Sequence, residues 1–112
     1  MKGIVAAALI AISVTPASAS ETMDVYLTGD DLLAECRTSL LFCTGYAMAV
    51  VDTLNAGEEI SGWEACPPDD VTYEEILNVI VDYLNDNPDT LHEAAIALAA
   101  VAFNEAYPCI DF

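Results

Sequence analysis

The sequence predicts an all-α domain, small and disulfide-linked, with three main helices and room for a short fourth. Three observations carry that expectation. Apolar residues recur at steps of three and four over long stretches, two threonines open capping boxes, and no segment alternates with the two-residue period of a half-buried strand. Each element can be justified in order.

Residues 1–19 read as a cleavable export signal. Lys2 supplies the basic start, Ile4 to Val14 the apolar stretch, and Ala17-Ser18-Ala19 the small-residue cleavage site. The apolar stretch is shorter than the ~20 residues a membrane span needs, and no cysteine follows the cleavage site to take a lipid. The expected product is a soluble domain of residues 20–112, delivered to the periplasm, with outright secretion as the lesser option.

The first helix should begin at Thr28. This threonine is placed as N-cap, Asp31 as the third helical residue, and Leu27 and Leu32 as a hydrophobic staple. Leu32, Cys36, Leu40, Cys43, Ala47, Val50 and Leu54 then form one apolar stripe, ending before Asn55-Ala56-Gly57. The stripe predicts a single helix facing the core with both cysteines. Its weak point is Arg37 to Ser39, because Thr38 and Ser39 are poorer helix formers.

Residues 56–70 carry Gly57, Gly62, Pro67 and Pro68, and read as a long loop around Cys66. Loops of that length are usually functional or disordered. The second helix starts at a capping box, Thr72 with Glu75, and turns Ile76, Val79, Ile80, Tyr83 and Leu84 inward. A third helix is expected from Asn87 as N-cap and Pro88 at its first position, running to about Ala106. Its face of Leu91, Ala94, Ala95, Leu98, Val101 and Ala102 is small enough for close helix approach, as are Gly45, Ala47 and Ala49 on the first helix.

Four cysteines in an exported chain of this size read as two disulfides, with three connectivities open. Chain reach favours Cys43 with Cys66, the loop folding back along the first helix. It then leaves Cys36 with Cys109, returned by the antiparallel second and third helices. A zinc site or a thioredoxin-like redox site is disfavoured, because there is no Cys-x-x-Cys pair and a single histidine. No metal and no cofactor are expected.

Charge narrows the partners. The chain has 2 basic residues against 19 acidic ones, and loss of the leader removes Lys2. Nucleic acid is excluded as a natural partner, because its binding is driven by Lys and Arg neutralising phosphates. Docking on an anionic membrane is disfavoured for the same reason. The acidity is either a steering field for a basic protein or a solvated surface.

Candidate partner-binding residues lie in the long loop: Glu58, Glu59, Ile60, Trp63 and Glu64 place an aromatic anchor among charges, a composition typical of interface hot spots. The plainer alternative is that Trp63 covers the end of the core. His92 stands alone and reads as a structural or exposed residue more readily than as a pH sensor. Tyr46 reads as an aromatic packing residue and Asp52 as a hydrogen-bonding one. The carboxylate pairs Asp30-Asp31 and Glu74-Glu75 sit at helix N-termini, where the macrodipole favours them, while Glu58-Glu59 and Asp69-Asp70 fall in the loop. Calcium-loop, nucleophile-elbow, zinc-protease and phosphate-loop motifs are missing. The reading is a binding protein, not an enzyme.

The order of short motifs resembles the Rap/Tai family. These motifs are Thr28-Gly29-Asp30-Asp31-Leu32-Leu33, Cys36, Cys43-Thr44-Gly45-Tyr46 with Asp52, Cys66-Pro67-Pro68, Val71-Thr72, Tyr83-Leu84, Asn87-Pro88, His92, Ala94-Ala95 and Pro108-Cys109. The resemblance spans almost the whole chain after the leader. It implies a small helical periplasmic immunity protein, often a homodimer, that neutralises a peptidoglycan amidase effector of type VI secretion by occluding its active site. The competing expectation is a periplasmic acid-stress chaperone of the Hde type, in which protonation relieves surface repulsion and frees apolar helix faces for clients.

Overall fold

A computed structural model describes residues 26–110. The export-signal reading of residues 1–19 lies outside them. The described chain is all-α: α1 (Gly29–Thr38), α2 (Leu40–Asn55), α3 (Tyr73–Asp86), a 3₁₀ turn (Pro88–Thr90) and α4 (Ala95–Ala106). Each of the four helices touches the other three. The core they enclose contains Leu32, Leu33, Ala47, Val50, Val51, Leu54, Ile76, Ile80, Leu84, Leu98 and Phe103.

Both capping boxes form. The Thr28 hydroxyl accepts from Asp31 N–H at 3.2 Å while the Asp31 carboxylate accepts from Thr28 N–H at 3.0 Å. Thr72 and Glu75 repeat the exchange at 3.2 and 2.9 Å. Each pair satisfies two backbone donors that a helix start leaves without intrahelical acceptors.

The expected first helix is two. Ser39 breaks it, with extended backbone at φ −139° and ψ 94°, and its hydroxyl then accepts from Phe42 N–H to cap α2. This break decides the first disulfide. In a continuous helix, residues seven apart are about 10 Å apart along the axis, beyond disulfide reach. The kink at Ser39 closes the Cys36–Cys43 Cα separation to 4.8 Å, and the two are bonded.

Cys66 is bonded to Cys109, so the expected pairs Cys43 with Cys66 and Cys36 with Cys109 are both corrected. The loop returns beside the C-terminal half of α2, where Pro67, Pro68 and Asp69 share a cavity with Met48, Val51 and Asp52, but it does not carry Cys66 to Cys43. It docks against the end of α4, where Cys66 N–H donates to the Tyr107 carbonyl at 2.8 Å and Ala65 is buried.

The expected third helix is also shorter. The Asn87 side chain does not cap it; its amide donates to the Tyr83 carbonyl and closes the end of α3 instead. Only a single 3₁₀ turn follows Pro88 before a further turn over residues 91–93 carries the chain past the start of α1. There the carbonyls of Glu93 and Leu91 accept from Gly29 and Asp30 N–H, each at 2.9 Å, and Ala95 N–H donates to the Leu27 carbonyl at 2.7 Å. Two helix N-termini thus exchange backbone hydrogen bonds, and Ala94 needs no capping side chain.

Gly29 makes this crossing fit. A Cβ at that position would lie 2.6 Å from Leu98 Cδ1 and 3.1 Å from Leu91 Cα.

Candidate partner-binding surfaces

Of the loop residues singled out from the sequence, Ile60 and Trp63 close one tight turn, with Glu58, Glu59 and Glu64 flanking it in the chain. Ile60 and Trp63 exchange both backbone hydrogen bonds, each at 2.9 Å. The two residues between them carry positive φ, 54° at Ser61 and 85° at Gly62, as a two-residue I′ turn requires. Glycine supplies that conformation without steric cost. The turn therefore has a defined shape despite lying in a long loop.

Its residues divide by burial. Ile60 is half-buried and packs against the core, while Glu58, Glu59 and Glu64 are exposed. Trp63 is 41 % exposed, so it does not simply close the core. The base of the turn is fastened by the Asn104 amide, which donates to the Glu64 carbonyl at 2.8 Å, and by the Cys66–Cys109 bond. Asn104 is a positioning residue that the sequence did not single out, since an asparagine in the last turn of a helix carries no signal of a partner forty positions away.

A second surface lies at the other end of α2. Leu40 is 67 % exposed, Leu41 88 % and Phe42 42 %. The apolar stripe had placed Leu40 in the core. The stripe holds from Cys43 onward, but Leu40 belongs to the first turn after the break and overhangs a groove, with no opposing helix above it. That groove has a volume of about 530 Å³ and lies between the start of α2 and α3; Cys36, Leu40, Cys43, Tyr73, Leu77 and Val81 supply its apolar walls. Three successive large apolar residues at a helix start exceed what one amphipathic face can bury. That was the available signal.

The remaining candidates lie apart from both surfaces or at their margins. Tyr46 is half-buried beside Phe42, with ring centroids 6.3 Å apart; burial pushes its phenol pKa up. Asp52 is exposed and borders a smaller cavity of about 160 Å³ with Pro67, Pro68 and Asp69. His92 is exposed in the turn before α4. Among the described residues, no group of three or more His, Cys, Asp or Glu is arranged to hold a metal ion. Among them, too, no helix is long and apolar enough to cross a membrane.

No curated protein and no solved structure matches the chain. A family model described as Rap1a immunity proteins matches residues 28–109. That span runs from the Thr28 cap to Cys109, and takes in both disulfides, all four helices and the Trp63 turn. The chain belongs to the Rap1a immunity protein family.

Proposed function

We propose that this protein is a periplasmic immunity protein that binds and inhibits a peptidoglycan amidase effector of type VI secretion, presenting Glu58, Glu59, Ile60, Trp63 and Glu64 to it. Membership of an immunity family supports a protein effector as the partner. One observation carries the choice of surface: an exposed Trp63 on a turn whose shape is fixed by its own hydrogen bonds and whose base is tied to α4. A partly exposed aromatic on a pre-organised turn loses little conformational freedom on binding. Such residues dominate interface energetics.

An immunity role requires binding and occlusion, and no catalytic group of its own. A homodimer, which the resemblance implies, would present the turn twice. The two disulfides suit an oxidising compartment, consistent with export by residues 1–19. The acidic surface would steer a basic effector, giving an association rate that falls with added salt. The chaperone reading draws no support from the family match. It predicts apolar-dye binding and client protection only near pH 3, which an inhibitor of this kind would not show.

The test is capture of periplasmic and secreted proteins of the same organism on the oxidised protein, with Trp63→Ala as the parallel bait. The expected result is a peptidoglycan amidase whose activity the wild type abolishes and whose affinity falls at least about tenfold with Trp63→Ala. Circular dichroism checks that the variant is folded. An unchanged affinity removes Trp63 from the interface.

A further inference from the structure

The groove beneath Leu40 is separated from the Trp63 turn by the length of α2, about 24 Å for its 16 residues. We propose that it is a second docking surface, and that its occupant is a basic amphipathic segment of a partner protein. Apolar side chains of that segment seat against Leu40, Leu77 and Val81, and its Lys or Arg residues lie over Glu74.

Three features make the groove ready to bind. Its apolar walls are preformed, because the Cys36–Cys43 bond and the Ser39 cap fix the angle at which α2 leaves α1. Its rim is exposed apolar surface: Leu40, with Tyr73 66 % exposed at the start of α3. Its few polar groups, Thr44, Glu74 and Asn78, give direction without filling it. A preformed, mostly apolar cleft with a few placed polar groups is the usual form of a binding site, and an exposed apolar patch with a polar border usually marks an interaction surface.

Charge identifies the occupant. Arg37 is the only Lys or Arg among the described residues, and its guanidinium donates to Asn85 Oδ1 at 3.4 Å near the C-terminal end of α3. Glu74 lines the groove, and exposed Asp82 follows Val81 on α3. A second copy seated face to face here would set a second Glu74 against a lining that holds no basic residue. An anionic bilayer would be repelled as well. A segment carrying Lys or Arg beside its apolar residues complements both parts of the surface, the apolar floor and the acidic edge.

The proposal does not depend on the amidase reading, and its test uses no effector. The probe is a fluorescein-labelled synthetic peptide of about 14 residues with Leu at helical spacing and Lys at the remaining positions, titrated into the purified oxidised protein. Leu40→Ser should weaken its binding at least about tenfold. Ile110→Ser, which alters an exposed apolar residue outside the groove, should leave it unchanged. Versions of the peptide with Leu replaced by Ser, or Lys by Glu, should not bind.

Equal affinity of Leu40→Ser and wild type, or no binding to wild type, would overturn the proposal. So would a dimer in sedimentation equilibrium that Leu40→Ser dissolves, since the occupant is then a second copy. Flotation with phosphatidylglycerol vesicles that is lost in Leu40→Ser would overturn it in favour of a lipid surface. Because Leu40 is already exposed, the variant should keep the wild-type circular dichroism spectrum.

Discussion

Cys36–Cys43 spans 7 residues across a single helix break, whereas Cys66–Cys109 spans 43 and ties the loop before α3 to the chain beyond α4. In the chain-entropy description, closing loops of those lengths removes about 2.4 and about 4 kcal/mol of freedom from the unfolded chain. The two bonds also hold different surfaces. The short one sets the angle between α1 and α2 and so the presentation of Leu40, Leu41 and Phe42. The long one anchors the base of the Trp63 turn. Local shape at one end of α2 and global stability at the other are therefore separable by mutation.

The largest expected effect follows from the longer bond. Replacing Cys66 and Cys109 together by Ala should cost about 4 kcal/mol in urea unfolding, a large part of the 5–15 kcal/mol typical of a whole domain. The α4 end and the loop would then be joined by the Cys66-to-Tyr107 and Asn104-to-Glu64 hydrogen bonds and by the packing of Ala65. Replacing Cys36 and Cys43 should cost about 2.4 kcal/mol. It should also free the junction at Ser39, so the groove peptide should bind less tightly while the Trp63 turn keeps its shape. If the short bond proved the costlier of the two, the entropic ordering would be wrong, and packing at the α1–α2 junction would be the controlling term.

The same contrast explains what the sequence could and could not reveal. Thr28 with Asp31, and Thr72 with Glu75, were legible because a capping box is a short-range pattern whose acceptors lie within four residues. The stripe through Val50 and Leu54 was legible because it follows the helical period. The break at Ser39 was only half legible. Its residues flagged weakness, but the apolar period continues across it, and a one-residue break leaves the step from Cys36 to Cys43 unchanged. Without that break, Cys36 could not have been paired with Cys43.

The start of α4 depended on contacts from far away. Pro88 and Asn87 announced a helix, yet the carbonyls of Leu91 and Glu93 are taken by the start of α1, a competition that no local pattern contains. The candidate site divides in the same manner. The Trp63 turn was visible as composition, with Gly62 where positive φ is needed. Leu40 was assigned to the core because periodicity reports which face a residue occupies but not whether another helix covers it.

The smallest effect separates the two ends by their tyrosines. Burial alone raises the pKa of Tyr46, beside the short bond. Tyr107, beside the long one, is raised first by burial and then by the negative charge of Glu75. In both, the folded protein holds the phenol proton more tightly than the unfolded chain does. The resulting stability is present in full below the unfolded phenol pKa, near 10, and is lost as pH rises through the higher folded value. Unfolding midpoints should therefore fall above about pH 10. Tyr46→Phe should flatten that fall equally at low and high salt, because removal from water is not screened. Tyr107→Phe should flatten it more at low salt, where the Glu75 charge acts with least screening. An identical salt response from the two variants would mean that Glu75 does not reach Tyr107, and that burial alone sets both tyrosines.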